Sequence, residues 1–474
     1  MDKNIEYHFL KSALTVDETI LSINDFMEWL EEKKNKTKHV VTSIPFSKLQ
    51  EWGFNSSTGN LEHSSGNFFL IEGINVKTNW GNLNTWQQPI INQSEIGFLG
   101  IITKKIDGIL YFLMQAKIEP GNINAVQLSP TLQATKSNYT QVHKGSAPLY
   151  LEYFIKDRDD VTVLLDQLQS EQGARFLKKR NRNIIIEVTS KIEVKDDFCW
   201  LTLGQIKQLL AHDNVINMDT RTVISGIPFG NLEMLQDINV QNKLDTYGEG
   251  LLMSELDEIS SLHSIEDIIS WITKHKSFAE LDVERIPLNQ VKDWSKDDKA
   301  IYHKDHKYFS VIAVEVEIGN REVHSWTQPI VKSAQEGVIA FLIKKINGVY
   351  HFLVQAKLES GNFDIIELAP SIQCLTGNYR KGENEYEVEF IDYVLNPGAK
   401  NSIVHYSTFQ SEEGGRFYKE QNKNMIIEVG EDFNVNVPDK YIWMTLNQIK
   451  TFIKFNNYLN IQSRSLLSAV NFIK

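Results

Sequence analysis

Apolar and polar positions alternate most clearly between Met114 and Thr135. In the first run Met114, Ala116 and Ile118 share one face, and Gln115, Lys117 and Glu119 share the other. That period of two predicts a strand. Pro120-Gly121-Asn122 then turns the chain. A second alternating run follows, with Leu128, Leu132 and Ala134 on one face and Gln127, Ser129, Thr131, Gln133 and Thr135 on the other. Two neighbouring strands would each present short polar and ionisable groups, either to solvent or to a pocket.

The same pattern is written twice. Trp86-Gln87-Gln88-Pro89-Ile90 recurs as Trp326-Thr327-Gln328-Pro329-Ile330, and Gln115-Ala116-Lys117 recurs as Gln355-Ala356-Lys357. Glu119-Pro120-Gly121-Asn122 returns as Glu359-Ser360-Gly361-Asn362, and Gln169-Ser170-Glu171 as Gln410-Ser411-Glu412. Near-constant spacing over so many matches marks a tandem duplication. Each copy predicts an amphipathic helix (about Ile20–Lys34 and Ile265–Lys276), a Pro-initiated turn with a short helix, and a strand (Phe68–Val76, Tyr308–Glu317). A hairpin then turns at Asp107-Gly108 or Asn347-Gly348. The polar-faced strand follows, then a helix carrying Gly173-Ala174-Arg175-Phe176, a strand over Asn183–Val188, and helices from Thr202 and Arg221. Helices flanking a mixed, hairpin-rich sheet give an α+β fold. The expected division is a first module over 1–235, a linker over 236–250 and a second module over 251–474.

The copies are unequal. Gln127, Ser129, Thr131, Gln133 and Thr135 become Glu367, Ala369, Ser371, Gln373 and Leu375, and His143 has no counterpart. This favours a working pocket in the first module and a scaffold or remnant binding site in the second.

Charge and motifs narrow the chemistry. The 474 residues carry 49 Lys and Arg against 61 Asp and Glu, a net charge of −12. That balance argues against nonspecific nucleic-acid binding. Two cysteines, Cys199 and Cys374, form no CxxC, so a disulfide framework and a thiolate metal site are not expected. No signal peptide or membrane-spanning run is read, and the expected compartment is the cytoplasm. There is no strand-linked GxGxxG, P-loop, GxSxG elbow, HExxH spacing or acidic helix motif of the metal-dependent diphosphate hydrolases. No metal and no cofactor is expected.

Three stretches, Trp86–Ile90, Gln115–Asn122 and Gln127–Thr135, extended by Ser137-Asn138-Tyr139-Thr140 and His143-Lys144-Gly145, resemble the NDP-hexose 2,3-dehydratase family. Glu367-Leu368-Ala369-Pro370 and Gln373-Cys374 are similar to the family's second repeat, and the likeness covers nearly the whole chain. The resemblance implies two tandem Nudix-like modules, a homodimer, and no metal requirement. It implies dehydration of a dTDP-4-keto-6-deoxyhexose such as dTDP-4-keto-6-deoxy-D-glucose at C2 and C3. It also implies a downstream NADPH-dependent 3-ketoreductase, because the diketo product is reactive. An epimerase or isomerase using the same enolate, and a non-catalytic nucleotide-sugar binding protein, remain the alternatives.

Glu119 is the leading candidate base, beside Lys117, which can stabilise an enolate or bind phosphate. Tyr139 and His143 are alternative acid or base groups. Gln115, Asn122, Gln127, Ser129, Thr131, Gln133, Thr135, Ser137 and Asn138 suit recognition of hydroxyls and a ketone. Arg175 can grip a diphosphate and Trp86 can stack on a ring, although both also suit packing. In the second module the corresponding nucleotide-sugar set is Trp326, Gln355, Lys357, Glu359, Gln373, Asn378, Tyr379 and Arg416.

Overall fold

In a computed structural model of the chain, the described residues are 5–135, 147–238, 244–319, 325–374 and 388–473. Each copy builds a seven-stranded mixed sheet. In the first the order is Val161–Ser170, Arg180–Val188, Gly97–Ile106, Ile109–Ile118 and Phe198–Thr202. Val126–Ser129 pairs with Ile109–Ile118, and Leu132–Ala134 pairs with Gly97–Ile106. The Arg180–Val188 and Gly97–Ile106 strands run parallel, and their neighbours in the sheet are antiparallel. The second copy repeats this order, including the parallel pairing of Gly337–Ile346 with Gln421–Val429. The predicted hairpins are present. Asp107 and Gly108 have φ of +51° and +77°, and Asn347 and Gly348 have +53° and +86°. Two successive positive φ values match the right-handed strand twist, which is why Asp-Gly and Asn-Gly occupy these turns.

The two copies are not separate bodies. His39–Ile44 of the first half pairs antiparallel with Phe309–Ile318 of the second. Reciprocally, Leu281–Ile286 of the second half pairs with Leu70–Thr78 of the first. Each half thus contributes the edge strand of the other's five-stranded sheet. The expected Pro-initiated turn with a short helix is present at Pro45 and Phe46–Lys48, but the six-residue strand before it was too short to be read from the sequence. One apolar cluster runs through both halves, from Phe9, Phe112 and Leu201 to Phe352, Leu446 and Phe472.

Helices cross the same boundary. Met218–Ser225 packs on Ile461–Ser468. Arg221 donates to the Ser411 carbonyl and, at 2.6 Å, to Ser465 Oγ. Arg464 answers by donating to the Ser170 carbonyl. Both arginines are 1% exposed. Guanidinium groups so deeply buried need these carbonyl and hydroxyl acceptors.

Two expected elements differ. Gly173–Phe176 is not helical but forms a tight turn between two strands, pinned by a bridge of Phe176 to Ile91. A Cβ at Gly173 would lie 2.0 Å from Asn362 Oδ1, so glycine is there for close approach to the other half. The segment expected as a linker over 236–250 includes the start of a helix, Thr246–Leu256, capped by Asp245. Its buried face, with Leu251 and Leu252, packs into the shared core.

Strand exchange yields a test. Residues 1–244 produced alone lack both exchanged partners, Leu281–Ile286 and Phe309–Ile318. They are expected in the insoluble fraction, and co-expression with residues 245–474 is expected to give a soluble complex. A cooperative melt from the first half alone would contradict this.

Candidate active site

The face of Ile109–Ile118 that carries Gln115 and Lys117, continued by Glu119, opens onto a cavity of about 1220 Å³. The opposite face, Met114, Ala116 and Ile118, joins the core. Ala116 and Ile118 also reach the cavity's edge, so alternation brings the polar groups to it without excluding their apolar neighbours. Gln133 and Thr135 form another part of its wall, and Phe98, Asn181, Glu171 and Lys179 come from the neighbouring strands and turn.

Glu119 is 5% exposed. Its Oε1 accepts from Gln133 Nε2 at 2.8 Å and lies 3.7 Å from Lys117 Nζ. Gln133 is oriented in turn by Asn217 Nδ2, which donates to its Oε1 at 3.3 Å. Asn217 also caps the Met218–Ser225 helix, so the carboxylate's support is tied to a helix end.

The second half completes the wall with Trp326, Thr327, Gln328, Glu413, Gly415 and Arg416. A backbone clasp brings them in. Gly121 N–H donates to the Gly414 carbonyl at 2.7 Å, and Lys419 N–H donates to the Gly121 carbonyl at 2.8 Å. A Cβ on Gly121 would sit 1.6 Å from the Phe417 carbonyl oxygen, so only glycine fits. Arg416 stacks 4.2 Å over Phe69 and donates to Gln93 Oε1 at 3.1 Å.

The predicted residues divide accordingly. Lys117, Glu119, Gln115, Thr131, Gln133 and Thr135 line one cavity. Thr131 does so with its hydroxyl already engaged: it donates to the Leu113 carbonyl and accepts from Ile102 N–H. Gln127, Ser129 and Asn122 lie elsewhere. Gln127 accepts from Ser411 Oγ at 3.0 Å across the inter-half contact, and Ser129 donates to the Pro130 carbonyl. Asn122 closes its own turn by donating to the Ala125 carbonyl at 3.1 Å. Ser137, Asn138, Tyr139, His143, Asn378 and Tyr379 lie outside the described residues.

The tryptophans and arginines are exchanged between halves. Trp326 and Arg416, expected in the second module's site, line the first module's cavity. Arg175, expected in the first, sits over Phe309 and feels the charges of Glu420, Glu359 and Glu412. Trp86 packs with Val283 and Leu281 and donates to Gln88, which reaches the Ala174 carbonyl beside Arg175. The reason is the exchanged architecture, which no one-dimensional repeat reveals. In the second half Gln373 holds Glu359 at 2.9 Å and Asn460 holds Gln373 at 2.6 Å, repeating the Asn217–Gln133–Glu119 relay. Gln355 donates to the Pro370 carbonyl, and Lys357 tempers the charge environment of Glu359.

Two cavity carboxyls, Asp219 and Glu413, escaped sequence reading. Burial, then the charges of Glu413, Glu119 and Glu171, pushes the Asp219 carboxyl well above its usual range. Burial, opposed by Arg416 but reinforced by Glu119 and Glu171, pushes Glu413 up to about 7. Glu171 is likewise raised, mainly by burial. Burial lowers Lys179, whose ammonium donates to the Glu95 carbonyl. Among the described residues, no group of three or more His, Cys, Asp or Glu is placed to hold a metal ion.

A sequence profile described as NDP-hexose 2,3-dehydratase matches residues 23–227 and again 265–470. The chain belongs to this family. Three relatives, each named dTDP-4-dehydro-6-deoxy-alpha-D-glucopyranose 2,3-dehydratase, extend the match over almost the full length. The protein of Saccharopolyspora spinosa is 44% identical over 99% of this chain and 96% of its own. That of Amycolatopsis orientalis is 42% identical over 97% and 92%. That of Streptomyces violaceoruber is 40% identical over 94% and 96%. As a dehydratase of this family the chain is a hydro-lyase. The cavity built on Glu119, from residues of both matched segments, is its candidate active site.

Glu413 supplies a pH test. Its carboxyl value is raised in the folded state from 4.5 to about 7, so the fold holds the extra proton across that window. Stability then falls as pH rises through it, because the unfolded chain releases that proton more readily. Glu413→Gln is expected to raise the unfolding midpoint at about pH 8 and to change it less at about pH 4. Equal shifts at both values, by differential scanning fluorimetry, would contradict the assignment.

Proposed function

We propose that this dehydratase converts dTDP-4-keto-6-deoxy-D-glucose to the 3,4-diketo-2,6-dideoxy sugar with protein side chains alone. The observation that carries the reading is Glu119, held between Gln133 and Lys117 in a cavity of about 1220 Å³. The C4 ketone already acidifies the C3 hydrogen, so the first step needs a placed base and a partner for the developing charge. Glu119 takes the C3 proton, and Lys117 meets the oxygen of the enolate that forms. Loss of the C2 hydroxyl then gives an enol, which tautomerises to the diketone.

Arg416 and Lys179 are the cavity cations suited to a diphosphate, and Trp326 is the ring suited to the base. Arg175 takes the equivalent role at the second half's Glu359. There the relay supports nucleotide-sugar binding, with Lys357 and Gln373 as its polar partners. The parallel central pair with flanking antiparallel strands in each half supports two Nudix-like modules. We further infer a cytoplasmic homodimer that passes its product to an NADPH-dependent 3-ketoreductase. No described helix is long and apolar enough to cross a membrane.

Incubation with dTDP-4-keto-6-deoxy-D-glucose, a 3-ketoreductase and NADPH is expected to consume NADPH and yield a sugar lighter by one oxygen atom, one water lost and two hydrogens gained. A product of unchanged mass would make the enzyme an epimerase. Glu119→Gln is expected to lower kcat by about 10³-fold while ligand binding persists. Retained turnover would remove Glu119 from the base role.

A further inference from the structure

Superposing the two copies in sequence, position by position, isolates what differs between two otherwise matching sites. Glu119, Lys117, Gln133 and Asn217 have the counterparts Glu359, Lys357, Gln373 and Asn460. The relay geometry is the same in both, as the paired hydrogen bonds show. Two carboxyls are not kept. Asp219 corresponds to Gln462, and Glu413 corresponds to Gln172. The two differences converge: Asp219 and Glu413 line one cavity although they come from opposite halves. Gln462 and Gln172 are both buried, and neither side-chain amide has a hydrogen-bond partner among the described residues. An amide keeps the shape of a carboxylic acid but cannot give up a proton at neutral pH.

Resting on the dehydratase reading, we propose that Asp219 and Glu413 form the general acid that protonates the departing C2 hydroxyl. Their placement supports the division of labour. Glu119 receives a hydrogen bond from an amide and lies beside an ammonium, a geometry that suits a proton acceptor. Asp219, in the first turn of the Met218–Ser225 helix, is 3% exposed and lines the same cavity as Glu413. Glu119, Glu171, Asp219 and Glu413 share one cavity, and carboxyls so gathered cannot all ionise readily, so a proton stays among them to be given.

The step balances. Glu119 takes the C3 proton and the electron pair moves into the enolate. The enolate collapses to restore the C4 carbonyl and form the C2–C3 double bond. The C2–O bond breaks, and the leaving hydroxyl takes the pair's proton to depart as water. In the tautomerisation Glu119 returns its proton to C2, and the O3 proton goes to the Asp219–Glu413 pair. Both groups end as they began, with one water lost. The second half keeps the Glu359 relay without this acid, so it is built to bind a nucleotide sugar rather than to eliminate water from it.

The test separates proton abstraction from elimination in the full-length enzyme. Asp219→Asn and Glu413→Gln are each expected to slow water loss by at least about 10²-fold. Deuterium exchange at C3 of dTDP-4-keto-6-deoxy-D-glucose in D₂O is expected to persist within about threefold of wild type, since the base is intact. The 2-deoxy-2-fluoro substrate loses fluoride without needing a full proton, so both variants are expected to eliminate fluoride near the wild-type rate. If an amide variant does not fold, Asp219→Ser or Glu413→Ser, read by the same fluoride rescue, takes its place. Turnover within tenfold of wild type in either variant would overturn the acid pair. So would joint loss of exchange and of fluoride release in a folded variant. Wild-type enzyme that neither exchanges C3 nor loses water would overturn the dehydratase reading itself.

Discussion

A reciprocal backbone clasp is the constraint on which the rest depends. Gly121 N–H meets the Gly414 carbonyl in one half, and Gly361 N–H meets the Gly173 carbonyl in the other, both at 2.7 Å. Backbone approaches this close leave no room for a side chain: a Cβ on Gly361 would come within 1.8 Å of the Phe176 carbonyl. Each clasp presses a turn of one half against the Glu-x-Gly-Asn turn of the other. The turn that follows Glu119 therefore sets where Glu413 and Arg416 arrive. Geometry that a single-domain enzyme would build within one loop is here shared between distant parts of the chain.

Burial then sets the electrostatics. The cavity gathers Glu119, Glu171, Asp219 and Glu413 with Lys117, Lys179 and Arg416. Burial and the crowding of like charges raise the Glu171 and Glu413 carboxyls, and burial lowers the Lys179 ammonium. The cross-boundary arginines, Arg221 and Arg464, fix the helices and strand ends that carry these groups. Arg221 binds the carbonyl of Ser411, two residues before Glu413, and sits two residues after Asp219.

Much of this was legible in the residues, for physical reasons. The period of two placed Gln115, Lys117 and Glu119 on one face, and that face meets the cavity. Asp-Gly and Asn-Gly located the hairpins. The duplication was visible because both halves keep pairs such as Trp86 and Trp326, Gly121 and Gly361, and Gly173 and Gly414 at near-constant spacing. What stayed hidden was anything decided between the halves. Repeat alignment assigns Trp326 and Arg416 to the half that encodes them, whereas the fold delivers them to the other. Gln127 and Ser129 look like a binding face, but they alternate into a buried inter-half contact and a strand end. Asp219 carried a signal that could have been found, since its counterpart is Gln462 in an otherwise similar Asn-capped helix.

The exchanged strands also impose an order of events on synthesis. His39–Ile44 leaves the ribosome early, yet its partner, Phe309–Ile318, follows more than 260 residues later. At about 5–20 residues per second that strand waits roughly tens of seconds with an unpaired edge. An exposed edge is an invitation to pair with another nascent chain. Val40, Val41 and Ile44 in this strand are accompanied by His39, Thr42 and Ser43, a composition that tempers its stickiness during the wait. The N-terminal half of this enzyme is thus a client of its own C-terminal half, and the candidate active-site cavity comes into being only near the end of translation.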